Sequence, residues 1–151
     1  MHLLVSETKL YRPLAEVFDF FSKAENLNEV TPPELSFAIT TPLPILMQVG
    51  TLIDYRIKLS GIPFSWRTHI KAWNPPHSFV DEQVKGPYVR WHHTHTFEQK
   101  EGYVLMTDRV EYLSPGWFLE PIVHHLIVKN RVEAIFAYRE QVFKRLFGQK
   151  V

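Results

Sequence analysis

The chain has no cysteine among its 151 residues. That absence excludes disulfides, thiolate metal sites and thiol nucleophiles, and it fits a reducing compartment. Charge of one sign is missing too, since 17 basic residues against 16 acidic ones leave a formal charge of +1. Nucleic-acid binding depends on a basic surface that neutralises phosphates, so no nucleic-acid partner is expected. No apolar run approaches the roughly 20 residues that cross a bilayer. The N-terminal stretch reaches Glu7 before a signal-length apolar core can form, which predicts a soluble, cytoplasmic protein. Glycine is sparse, with six copies that all stand singly. None builds a cluster that would cradle a phosphate, so nucleotide binding by those routes is not expected.

What is present is core material: 45% of the residues are hydrophobic and 14% aromatic. The length suits one domain spanning residues 1–151. LLVSETKLY reads as a strand. RPLAEVFDFFSKAENLNEV reads as one or two short helices, with Pro13 in a first turn and Leu14, Val17, Phe18 and Phe21 at helical spacing. Two prolines in TPPEL end that segment. ELSFAITT, TLIDYRIKLS, FSWRTHIKAW, SFVDEQVK, VRWHHTHTF and YVLMTDRVEYL then follow as strands. Gly61-Ile62-Pro63, Asn74-Pro75-Pro76-His77, Gly86-Pro87 and Lys100-Glu101-Gly102 supply turns between them. Such short connections predict an antiparallel meander. From Trp117 to Phe147 the period changes. Val128, Val132, Ile135, Phe136, Val142, Phe143 and Leu146 fall within about a third of a helix circumference. The pattern predicts a long amphipathic helix that starts between residues 115 and 121, with Pro121 in its first turn and Gly148 as its C′ stop.

Three segments, NLNEVTPPELSF (26–37), FVDEQVKGPYVRWHHTHTF (79–97) and IFAYR (135–139), give the chain a family likeness. On them it resembles the SRPBCC superfamily, whose helix-grip fold is shared by START lipid-transfer domains and birch-pollen-allergen relatives. More narrowly it resembles the bacterial ligand-binding SRPBCC branch. The resemblance implies an α+β fold: a seven-stranded curved antiparallel sheet wrapped around a long C-terminal helix, with one or two short helices after strand 1. It also implies a cavity between sheet and helix that takes a small hydrophobic or amphipathic ligand.

A strand sends alternate side chains to opposite faces. Trp91, His93, His95 and Phe97 therefore share one face of VRWHHTHTF, and Arg90, His92, Thr94 and Thr96 the other. Taking Tyr55, Trp66, Phe79, Trp91 and Phe97 as the inward aromatics turns Asp81 and Gln83 inward as well. The same alternation turns Asp108 inward with Val104, Met106, Val110 and Tyr112. Arg139 sits in the apolar stripe of the helix, next to Phe136. Unpaired charge on that face would cost several kcal/mol, so Asp81, Asp108 and Arg139 are expected to meet each other, the histidines or a ligand.

The expected ligand-binding residues are thus Tyr55, Trp66, Phe79, Asp81, Gln83, Trp91, His93, His95, Asp108, Phe136 and Arg139. Binding without turnover is the expectation. The alternative is a cyclase/aromatase-like or hydrolase-like enzyme that uses His93 or His95 with Asp108 or Asp81 as an acid–base pair. No metal or other cofactor is expected. His-x-His on a strand supplies two ligands, the sequence does not fix the distance to a third, and His92 points away. His124 and His125 diverge by about 100° on a helix and share no metal in this reading. The basic, amphipathic segment KNRVEAIFAYREQVFKRLFGQK is read as a solvated face whose apolar stripe closes the sheet.

Overall fold

A computed structural model describes residues 1–148. Gln149 and Lys150 of the basic C-terminal segment lie outside the described residues. The order is β1 (His2–Leu10), α1 (Leu14–Phe21), α2 (Leu27–Val30), β2 (Ala38–Ile39), β3 (Leu52–Leu59), β4 (Ile62–Asn74), β5 (Ser78–Lys85), β6 (Arg90–Gln99) and β7 (Val104–Leu113). A tight turn at Trp117–Leu119, α3 (Glu120–Val123), a widened π turn at His124–Val128 and α4 (Lys129–Phe147) close the chain. The sheet runs β1-β7-β6-β5-β4-β3-β2 and every pairing is antiparallel. This is the expected α+β helix grip: seven strands, a long C-terminal helical segment, and short helices after strand 1.

Four local features differ from the sequence reading, each for a physical reason. The ELSFAITT strand shrinks to Ala38–Ile39, because Pro33–Leu35 forms a tight helical turn and Ser36 adopts a left-handed φ of 48°. The β3–β4 turn is Ser60-Gly61, with φ of 52° and 78°. Two successive positive φ values make the two-residue hairpin turn that matches strand twist, so Ile62 and Pro63 already belong to β4. A register shift between Ile70 and Ala72 breaks the alternation of β4. Such a bulge re-aims side chains, and Trp73 packs on Phe18 and Phe79 while Ala72 faces out. Finally, Gly148 does not end the helix in a left-handed C′ conformation; its φ is −85°. A Cβ there would stand 2.5 Å from the Lys144 carbonyl oxygen, so the close backbone approach is what requires glycine.

The two larger apolar bodies of the core flank a polar layer, and a third, smaller cluster holds Ala24, Ile53 and Ile70. One body holds Leu10, Phe79, Phe97, Val104, Met106, Val142 and Phe143. The other holds Trp66, Trp91, Val110, Tyr112, Val132 and Phe136. β6, β7 and α4 pass from one of the larger bodies to the other and put charged or titratable side chains at the crossing. On β6, His93 and His95 stand between Trp91 and Phe97. On β7, Asp108 stands between Met106 and Val110. On α4, Arg139 stands between Phe136 and Val142.

Candidate functional site

Strand register assembles the polar layer. Asp81 on β5 lies opposite His93 on β6, and His95 lies opposite Asp108 on β7. Directly opposed and diagonal neighbours on one sheet face are within side-chain reach, and both kinds of contact form. His95 Nε2 is 2.5 Å from Asp81 Oδ2, and His93 Nε2 is 2.8 Å from Asp108 Oδ1. Across the layer, His93 Nδ1 is 3.9 Å from Asp81 Oδ2 and His95 Nδ1 is 3.4 Å from Asp108 Oδ1. The two imidazoles stack with centroids 3.6 Å apart, and His95 also stacks on Phe79 at 4.0 Å.

Arg139 enters from the helix. Its Nε donates to Asp108 Oδ2 at 3.1 Å and its Nη2 to Asp108 Oδ1 at 3.2 Å, a two-pronged grip suited to a carboxylate. The rings of Phe143, Phe21 and Phe136 surround the guanidinium at 4.8, 5.8 and 6.0 Å, adding cation–π attraction. His93, His95, Asp108 and Arg139 are each no more than 6% exposed. Charge at this depth is tolerable only when balanced.

Protonation supplies the balance. Burial works against the charged form of His95, but hydrogen bonds to Asp108 and Asp81 outweigh it and raise its pKa. Burial and the neighbouring His95 charge push His93 down to about 4. Burial would raise Asp108, yet the Arg139 charge and the histidine contacts hold it well below the usual range. Asp81 is lowered against its own burial by His95, His93 and Arg139. Arg139 then balances Asp108, and a proton on His95 balances Asp81.

These shifts set a pH profile. His95, raised in the folded state, stabilises fully below its unfolded pKa of about 6.5 and loses that contribution as pH rises through its folded pKa. His93 stays neutral when folded. Stability therefore falls as pH drops from about 6.5 toward 4, where the unfolded chain takes up its proton. The lowered carboxylates lose their contribution only at more acid pH. In chelator, the melting temperature is expected to peak between about pH 6 and 7 and to decline on both sides. A profile flat from about pH 5 to 9 would contradict the charge assignment.

The layer lines part of a cavity of about 160 Å³ between the sheet, the short helices and α4. Tyr55, Trp66, Phe79, Asp81, Trp91, His93, His95, Phe136 and Arg139 all line it. Asp108 and Gln83 do not. Asp108 is held by Arg139 and the two histidines. Gln83 is occupied by the loop after β5, donating from Nε2 to the Tyr88 carbonyl at 2.6 Å and accepting the Tyr88 N–H at 3.0 Å. Thr68 satisfies the Trp66 indole N–H at 3.1 Å, leaving that wall with little free hydrogen-bonding capacity.

Sequence reasoning missed several lining residues. Phe20, Leu27 and Val30 come from the short helices, and Tyr88 from the loop before β6. An aromatic directly after Gly86-Pro87 was the available signal for Tyr88. It also missed His2, which stacks on His124 at 3.3 Å and lies 2.5 Å from Glu120. His124 meets Tyr112 Oη at 2.8 Å and does not pair with His125. His92 faces outward, 2.6 Å from Glu82. The expectation of no metal rested on an unplaced third ligand. Asp81 supplies one, since it, His93 and His95 bring donor atoms within 4.8 Å of one another.

No protein-family model matches the sequence and no curated protein matches it. Solved structures do. Ginseng major latex-like protein 151 from Panax ginseng superposes with a TM-score of 0.68 at 11% identity, covering 97% of each chain. Ara h 8.0201 gives 0.61 at 18% identity over 94% of this chain and 97% of its own. Protein CV1439 from Chromobacterium violaceum gives 0.70 at 12% identity over 99% and 100%. The chain has the helix-grip fold. Identities this low speak for the fold alone. Among the described residues, no helix is long and apolar enough to cross a membrane.

Proposed function

We propose that this helix-grip protein binds one small amphipathic molecule in the cavity between the sheet and α4. One observation carries the reading: the cavity wall is largely apolar and aromatic, and Asp81, His93, His95 and Arg139 stand together in it as a polar cluster, apart from Thr68 and from Lys23, Asn26 and Thr31 of the short-helix segment. That division suits a ligand with an apolar body and one polar head. An apolar cavity of about 150 Å³ accepts benzene, so a cavity of about 160 Å³ suits a molecule of one or two rings. Arg139 is already held by Asp108 and Asp81 by His95, which favours an uncharged head. A hydroxyl donating to Asp81 meets that requirement.

Native mass spectrometry of the purified protein, followed by denaturing extraction, tests the reading. The expected result is a small ring-containing compound near one per chain. Ile135→Trp, which places a larger ring in the cavity wall, is expected to lose that compound while retaining a cooperative melt. Protein that carries nothing, takes up no small amphipath and is indifferent to Ile135→Trp would count against it.

Acid–base catalysis in the same cavity is a second reading, with its own support. His93 and His95 stack at 3.6 Å with pKa values displaced in opposite directions, and titratable pairs pushed apart are how acid and base roles arise. Turnover of the extracted compound, lost in His93→Ala, would establish it.

A further inference from the structure

We propose that Asp81, His93 and His95 form a binding site for a divalent first-row transition-metal ion in the cavity wall, with Asp108 and Arg139 as its support. The inference needs no organic ligand, because all three donors come from the protein. Donors around a tetrahedral ion with bonds of about 2.0 to 2.1 Å stand about 3.3 Å apart. Here Asp81 Oδ2 lies 2.5 Å from His95 Nε2 and 3.9 Å from His93 Nδ1, values that bracket that spacing. The ion would take the place of the proton that Asp81 and His95 share.

The second layer is built as such sites require. Metal-binding imidazoles almost always give their far nitrogen to a carboxylate, which fixes the tautomer and aims the near nitrogen at the ion. Asp108 fills that role for His93, facing its Nε2 at 2.8 Å, while His95 Nδ1 lies 3.4 Å from both Asp108 Oδ1 and Arg139 Nη2. Arg139 holds Asp108 with two hydrogen bonds and neutralises it, leaving the Asp81 charge for the cation. Two imidazoles, one carboxylate and no thiolate match zinc or iron(II) better than calcium or magnesium, which prefer oxygen alone. Asp81, His93 and His95 all line the cavity and Asp108 does not, so the remaining coordination positions open toward the cavity. Water or an oxygen donor of a bound molecule would complete them.

The test titrates tag-free, metal-free protein with Co²⁺ alone, followed by visible absorption, then with Zn²⁺ in competition. One Co²⁺ per chain is expected, with ligand-field bands of a four- or five-coordinate nitrogen–oxygen site that Zn²⁺ abolishes. Asp81→Asn and His93→Ala are expected to lose the bands. Asp108→Asn, which leaves all three donors in place, is expected to weaken binding by about 10- to 100-fold. Should His93→Ala not fold, wild type against Asp81→Asn decides. The proposal is overturned if folded wild type takes up no stoichiometric Co²⁺, or if uptake is unchanged in Asp81→Asn. Run without organic ligand, the titration can fail while the cavity still binds its amphipath.

Discussion

Asp108→Ala is expected to destabilise the protein by about 3 to 5 kcal/mol, the scale for removing one partner of a buried ion pair. Asp108 receives two hydrogen bonds from Arg139 and faces both histidines, with its side chain almost wholly buried. Alanine would leave the guanidinium among three phenylalanine rings, with no bidentate anion to hold it. Urea denaturation measures the loss as a lower midpoint at unchanged m. Asp108→Leu combined with Arg139→Met is expected to recover much of it, because an apolar pair can replace a buried ion pair at little cost. A single-variant loss under about 1 kcal/mol would show that Arg139 finds another partner or reaches water.

Arg139→Met is expected to cost less, about 1 to 3 kcal/mol. Methionine keeps much of the volume, and Asp108 retains its contacts with His93 and His95. The variant carries a signature beyond its size. The Arg139 charge is the largest favourable influence holding the Asp108 carboxyl low. Removing it raises that pKa, so the deficit in stability is expected to be full at neutral pH and to narrow as pH falls and Asp108 takes up a proton. Urea midpoints at several pH values check this. A pH-independent deficit would assign Arg139 a packing role only.

Alternation made most of this layer legible in the sequence. Strict period-2 patterning along β5, β6 and β7 placed Asp81, His93, His95 and Asp108 on the face that carries Phe79, Trp91 and Val110. Helical spacing placed Arg139 with Phe136 and Phe143. What alternation could not supply was register between strands. It left open which carboxylate meets which imidazole, and whether a third metal donor exists. Register depends on turn geometry, and here pairing puts Asp81 opposite His93 and Asp108 opposite His95.

The misses have the same origin. The bulge that turns Trp73 inward adds a residue that a pattern read along one strand cannot detect. The left-handed Ser36 ends a strand whose apolar alternation continues on paper through Leu35, Phe37 and Ile39. Gln83 follows the inward pattern correctly, yet its amide is consumed by the Tyr88 backbone, a local contact that periodicity does not report. The pairing of His2 with His124 and Glu120 joins the two ends of the chain, 118 residues apart for His2 and Glu120, where no spacing rule applies.

The cavity reading is tested most directly by titrating wild type and Ile135→Trp with 2-naphthol in chelator, following the fluorescence of Trp66 and Trp91 in the cavity wall. The molecule offers two fused rings and one uncharged hydroxyl donor. The expected result is saturable one-to-one binding to wild type, lost in Ile135→Trp and weakened in Asp81→Asn. Equal binding to wild type and Ile135→Trp, or no saturable binding to wild type, would contradict an internal site for a small amphipath.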